Sequence, residues 1–301
     1  MNRRHFMAAG AATALLGAVE GQAQVQAQRK GPFRLRYAPH FGMFENLAGK
    51  DLVDQIKFAA DVGFSAWEDN DMPGRPMGDQ ERIAAAMATL NMSFGIFTIT
   101  RDFDNITFAS GEPEARDKIL KDIRAGIEVA KRLNAKWVTV MTGQADPGLE
   151  PGYQTANMVD NLKACAALCE PAGLVMVIEP LNPWNDHPKL FLTKIPQAFQ
   201  ICKAVNSPSC KILDDLYHQQ ITEGNLIPNI EMAWSEIGYF QVGDNPGRYE
   251  PGTGEINYKN VFRYLHEKGY RGIIGMEHRM AGEGRKGELA VISAYREADS
   301  F

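Results

Sequence analysis

The sequence predicts a (β/α)8 TIM barrel of the α/β class. From residue 35 onward, eight short apolar runs alternate with eight longer amphipathic stretches. The runs are apolar throughout rather than alternating, as strands are when helices cover both of their faces. Several of the amphipathic stretches end on a glycine or asparagine, the residues that tolerate a left-handed helix C-cap.

The strand-like runs are 35–38, 66–68, 94–99, 137–141, 175–179, 211–215, 239–242 and 273–277. Helical patterns fall between them at 50–62, 79–90, 113–133, 153–172, 193–205, 222–235, 257–268 and 285–298. Gly63 follows the first helix, Asn134 the third, Gly173 the fourth and Gly269 the seventh. An open doubly wound sheet is the structural alternative, but no G-x-G-x-x-G follows the first strand.

Residues 29–301 read as one barrel domain without a dividing linker, and residues 1–28 stand apart from it. Arg3-Arg4-His5-Phe6-Met7 is a twin arginine with an apolar pair, followed by the small-residue apolar stretch 8–19. Small residues at Ala23 and Ala27 suit signal cleavage. Together these features resemble a twin-arginine export signal, so the expected location is periplasmic or secreted. A membrane anchor is the rival reading, and the apolar run is too short for a spanning helix.

A composition of 45% hydrophobic and 23% charged residues is that of an ordinary globular protein, and a net charge of −5 gives no electrostatic reason to expect nucleic acid or an anionic membrane. The expected partner is a small molecule, and homo-oligomer formation is left open. Cys165 and Cys169 lie four apart on a predicted helix, a poor disulfide spacing, so these and Cys202 and Cys210 read as buried free thiols.

The informative residues stand at the ends of the later strands. Strand five stops at Glu179, strand six at Asp214-Asp215, strand seven passes through Gln241, and strand eight reaches Glu277. In a barrel these positions converge on one mouth. A carboxylate there is costly to bury without a partner or a metal, and several aimed at one point raise one another's pKa. A divalent cation resolves the conflict. Oxygen ligands suit Mn²⁺ or Mg²⁺ first, with Co²⁺ or Zn²⁺ as alternatives. Taken singly, each residue also reads as a surface ion pair.

Neighbouring strand residues point to opposite faces, so only one of Asp214 and Asp215 can enter the mouth directly. His218, three residues beyond Asp215, reads either as a loop group addressing a substrate oxygen or as a structural histidine. Arg248 is the only cation in a Gly- and Pro-rich loop over 243–257, suited to a substrate carboxylate or hydroxyl pair, or else to solvent. Glu68, Asp69 and His40 also fall at the mouth, with Trp67, Trp184 and Phe103 as candidate apolar walls.

Three stretches are distinctive: 177–182 (Val-Ile-Glu-Pro-Leu-Asn), 215–226 (from Asp-Leu-Tyr-His-Gln-Gln) and 240–258 (through Pro-Gly-Arg-Tyr-Glu-Pro-Gly-Thr-Gly-Glu-Ile-Asn-Tyr). With Gly275-Met276-Glu277 they resemble the hydroxypyruvate isomerase group within the xylose-isomerase-like sugar isomerase and epimerase barrels. The resemblance implies a metal held by Glu179, Asp215, Gln241 and Glu277, and an acid/base pair of Glu179 and Glu277. It further implies that His218 and Arg248 address substrate oxygens, and it selects Asp215 through the motif Asp-x-Tyr-His.

The expected activity is therefore a metal-dependent isomerase or epimerase of small keto- or hydroxy-sugars or keto-acids. An enediolate would form when one glutamate removes a proton beside a carbonyl, and the other would return it. One alternative keeps the site, a metal-dependent lyase or hydrolase of keto-glycosides; another, of a different class, is a secreted carbohydrate-binding barrel without catalysis.

Overall fold

The computed structural model describes residues 31–301. The expected export signal over 1–28 lies outside the described residues.

The staves in chain order are β1 (Arg36–Ala38), β2 (Ala66–Trp67), β3 (Ser93–Phe94) and β4 (Thr98–Thr100), β5 (Trp137–Val140), β6 (Val175–Ile178), β7 (Cys210–Asp215), β8 (Ile237–Gln241) and β9 (Ile273–Gly275). All named pairings are parallel, in the order β1-β9-β8-β7-β6-β5-β4, with β2 paired to β3. The ring closes through backbone hydrogen bonds from Glu68 N to Pro39 O (3.0 Å) and from Thr139 N to Phe97 O (2.9 Å). This is the expected (β/α)8 barrel.

The outer helices are α1 (Glu45–Ala48), α2 (Leu52–Asp61), α3 (Met77–Thr89), α4 (Pro113–Leu133), α5 (Pro151–Cys169), α6 (Ile195–Val205), α7 (Leu216–Thr222), α8 (Leu226–Ala233), α9 (Tyr258–Glu267) and α10 (Gly284–Ala298). The four predicted helix-ending residues are left-handed, with φ of +100° at Gly63, +52° at Asn134, +64° at Gly173 and +83° at Gly269.

Three elements differ from the sequence expectation. The run 94–99 is two strands, because the third stave changes partner from β2 to β5 across Gly95-Ile96-Phe97. The helix expected over 222–235 is shorter, α8 beginning only at Leu226 after Gly224 and Asn225 take φ of +59° and +50°. Residues 216–221, read as loop, belong to helix α7, which Asp215 caps by accepting from Tyr217 N at 2.9 Å. His218 therefore stands on a helix.

Side-chain alternation sorts the staves into two cores. Ala38, Ala66, Ile96, Val177, Leu213, Tyr239 and Ile273 form a cluster drawn from seven different staves. A larger cluster, including Ile178, Ile212, Phe240 and Ile274 beside Ile201, Phe262 and Ile292, fills the layer between sheet and helices. Each fully buried Leu, Ile or Phe there contributes roughly 1.5–3 kcal/mol. All four cysteines are free and buried.

Candidate active site

The inner cluster sets the positions of the polar residues. Two residues along a strand return the side chain to the same face, and Val177, Leu213 and Tyr239 are followed at that interval by Glu179, Asp215 and Gln241. Ala38, Ala66 and Ile96 are followed by His40, Glu68 and Thr98. On β9 the interval passes through Gly275 before reaching Glu277. Asp215 and Gln241 are register partners across β7 and β8, and Gln241 pairs in turn with Gly275.

Glu179, Gln241, Glu277, His218 and Arg248 line one cavity of about 310 Å³. Asp215, wholly buried, borders it through its partners. Asp215 Oδ2 accepts from an Arg248 terminal nitrogen at 2.8 Å and lies 3.6 Å from His218 Nε2. Glu179 Oε1 lies 3.8 Å from the same nitrogen. Neither aspartate is among the lining residues, but Asp215 alone contacts the cavity residues Arg248 and His218, so the two divide as alternation requires.

Glu277 is positioned from two sides. The amide of Asn70 donates to its Oε1 at 3.1 Å, and Thr98 Oγ1 donates to Asn70 Oδ1 at 3.0 Å. From the other side Arg248 donates to Oε2 at 3.1 Å and to the Glu277 backbone carbonyl at 3.1 Å. Arg248 itself is held by its loop. Asp244 accepts from the backbone N–H groups of Asn245, Gly252, Gly254 and Ile256 at 2.9–3.1 Å. A Cβ at Gly254 would overlap the Asn245 carbonyl oxygen, which explains a Gly-rich segment here. Arg248 adopts φ of +55° and lays its guanidinium over the Tyr217 ring at 4.8 Å.

Burial controls the electrostatics. Together with Glu277 and Asp215 it pushes the Glu179 carboxyl well above its ordinary range. Asp215 and Glu277 are also raised by burial, against the pull of Arg248. Burial disfavours the Arg248 charge, but Glu277, Asp215 and Glu179 outweigh it and raise its pKa. Burial, then Arg248 and His187, hold His218 well below its ordinary value, so the ring is neutral. His218 Nδ1 is met by the Asn182 side-chain amide at 2.7 Å and the Asn182 backbone N–H at 3.3 Å. Facing two donors, Nδ1 is the acceptor and the proton sits on Nε2, aimed at Glu179 and Asp215.

Glu179, Asp215 and His218 cluster with polar atoms within 4.8 Å of one another, and with Nε2 protonated it is the two carboxylates that are free to hold a metal ion. Glu179 Oε1 and Gln241 Oε1 are buried and without hydrogen-bond partners. Unpartnered buried oxygens at a cavity fit a cation better than they fit a packed core.

Other predicted residues fall elsewhere. Glu68 is not among the residues lining this cavity; it is buried and accepts from Tyr239 and from the cavity residue Gln241. His40 lines a shallower flanking hollow that shares Arg248 and Glu277 with the cavity. Asp69 pairs with Arg75. Phe103 is a cavity wall, whereas Trp67 packs in the core against Phe41 and Trp184 is 72% exposed. Sequence reasoning missed Asn70, Thr98, Arg101, Asn182 and His187; Asn182 had its signal in the stretch 177–182.

A parallel barrel with a carboxylate-lined mouth defines a class of protein, and sequence comparison places the chain within it. The chain belongs to the xylose isomerase-like TIM barrel family, whose profile matches residues 56–295, and within it to the hydroxypyruvate isomerase group. It is 31% identical over 248 residues to a putative hydroxypyruvate isomerase of Xenopus laevis, covering 79% of this chain and 88% of that protein. It is 30% identical over 241 residues to the 2-oxo-tetronate isomerase of Pectobacterium atrosepticum, covering 78% of this chain and 89% of that one. Among solved structures, an AP endonuclease family 2 protein of Brucella melitensis superposes with a TM-score of 0.75 at 25% identity, over 87% of this chain and 99% of that chain. The class shared with these relatives is that of an isomerase.

Proposed function

We propose that this chain is a divalent-metal-dependent isomerase or epimerase acting on small keto- or hydroxy-sugars or keto-acids. One observation carries the reading: Glu179, Gln241 and Glu277 line one cavity, Asp215 contacts its lining residues Arg248 and His218, and the buried oxygens Glu179 Oε1 and Gln241 Oε1 lack partners. Glu179, Asp215, Gln241 and Glu277 would hold the ion, Mn²⁺ or Mg²⁺ fitting an all-oxygen set. When bound, such an ion polarises a substrate carbonyl as a Lewis acid.

The remaining work falls to the chain's own groups. Glu179 and Glu277 remove and return the proton on a carbon beside the carbonyl. Return to the opposite face of the same carbon epimerises; return to the former carbonyl carbon, with the adjacent hydroxyl proton passing to the former carbonyl oxygen, interconverts aldose and ketose. A raised carboxyl pKa brings a carboxylate closer to the basicity this requires. His218 Nε2–H donates to a substrate oxygen, and the Arg248 fork addresses a second oxygen or a carboxylate. The twin arginine Arg3-Arg4 supports export of the folded enzyme.

The test is solvent exchange. In D₂O with added Mn²⁺, a panel of ketoses, hydroxypyruvate and 2-oxo-tetronate is incubated with enzyme and followed by NMR. Deuterium entering a carbon next to the carbonyl, with isomer or epimer formed, is the expected result. No exchange in any member overturns the reading, and release of aglycone from an added keto-glycoside would redirect it to elimination.

A further inference from the structure

One buried carboxylate takes no part in these proton transfers. Glu68 follows the inner-cluster residue Ala66 by two positions, so it enters the barrel just above that apolar layer. It is 1% exposed. Its Oε2 accepts from the Tyr239 hydroxyl at 3.1 Å and its Oε1 from Gln241 Nε2 at 3.4 Å.

Two other staves give way to it. A Cβ at Gly275 would overlap the Glu68 carboxylate and stand 2.7 Å from its Cδ. A Cβ at Gly95 would overlap the Tyr239 hydroxyl and lie 3.2 Å from Glu68 Cβ. An apolar side chain would fill this level at lower cost, since a buried carboxyl forfeits its hydration. The arrangement calls for a function.

A primary amide has a donor end and an acceptor end. With Nε2 directed at Glu68, Gln241 turns Oε1 away from it, and that oxygen is buried without a partner. Rotated by half a turn, the amide would set oxygen against carboxylate. We propose that Glu68 is a positioning residue that fixes the Gln241 amide so that its oxygen faces the metal position. The proposal rests on the ligand role given above to Gln241.

The experiment is a double-mutant cycle on the full chain, read as Mn²⁺ affinity by electron paramagnetic resonance of the free ion. Glu68→Leu is expected to weaken Mn²⁺ binding about tenfold to hundredfold, while Glu68→Gln, whose amide oxygen accepts the same hydrogen bond, stays within about threefold of the parent. In a Gln241→Ala background, Glu68→Leu is expected to cost nothing more, because nothing is left to position.

Parent-like affinity in Glu68→Leu, or an equal loss with and without Gln241, overturns the proposal. The two readings separate cleanly. If Gln241→Ala binds Mn²⁺ as the parent does, the ligand role falls and the positioning role with it; if it binds weakly while Glu68→Leu does not, only the positioning role falls. Should Glu68→Leu fail to fold, Tyr239→Phe removes the hydroxyl that holds Oε2 while keeping the ring. It is expected to weaken Mn²⁺ binding by a smaller factor, and only when Gln241 is present. Unchanged affinity there also overturns the proposal.

Discussion

Asn182 donates its side-chain amide to Nδ1 of His218 across 2.7 Å. Asn182 Oδ1 in turn accepts from the backbone N–H of Asn185 at 3.0 Å, and its amide also reaches Asp186 at 2.7 Å. The amide cannot turn over without breaking these contacts, so the histidine is held with its proton on Nε2.

Replacing Asn182 with aspartate supplies an acceptor where a donor stood, which moves the proton to Nδ1 and leaves Nε2 bare. Turnover is expected to fall roughly hundredfold, the lower end of the range for a positioned proton donor, with Mn²⁺ affinity little altered. Nitrogen-15 NMR of the His218 ring reports the tautomer directly. An unchanged ring spectrum would show that Asn182 does not set it.

The acid/base pair makes a second prediction. Glu179→Gln and Glu277→Gln each keep the shape of the side chain and lose its basicity. Each is expected to lower kcat by roughly 10²–10⁴-fold. Deuterium wash-in from single turnovers in the two variants distinguishes the glutamate that removes the proton from the one that returns it. Parent-like turnover in both variants would remove these residues from the chemistry.

The Arg248 loop depends on Asp244. Its carboxylate accepts four backbone N–H groups, so Asp244→Ala is expected to destabilise the protein by on the order of 3 kcal/mol, a charged acceptor being worth about 1.5–3 kcal/mol per bond and such terms not adding fully. Gly254→Ala forces a Cβ into the Asn245 carbonyl and acts on the same loop. Both variants are expected to raise KM more than Arg248-independent steps would allow, because the guanidinium loses its register over Asp215 and Glu277. Thermal unfolding and steady-state kinetics together check this.

Metal removal is the fourth. Chelation is expected to abolish turnover and to lower Tm, since a ligand at about 100-fold its Kd stabilises the native state by about 2.7 kcal/mol. That corresponds to several degrees in a protein of this size. Adding Mn²⁺ back is expected to restore both. A chelated enzyme that keeps its activity would contradict the proposed cofactor.

The amino-acid sequence determined the architecture by itself. The alternation of apolar runs and amphipathic stretches is a local property, and so are the left-handed caps at Gly63, Asn134, Gly173 and Gly269. The ends of the apolar runs also marked Glu179, Asp214-Asp215, Gln241 and Glu277; alternation allowed only one of the two aspartates into the mouth, and the family resemblance selected Asp215.

Only the closed barrel decided how those groups meet. Glu68, read at the mouth, is buried against Tyr239 and Gln241, partners 171 and 173 positions away that no local pattern announces. His218 became a helical residue with a defined tautomer through Asn182, 36 positions earlier. Trp67 and Trp184 were indistinguishable as candidate walls until packing buried one and exposed the other. A strand pattern records the face on which a side chain lies. Its depth and its partner follow from the stagger of neighbouring staves, which exists only once the sheet has closed on itself.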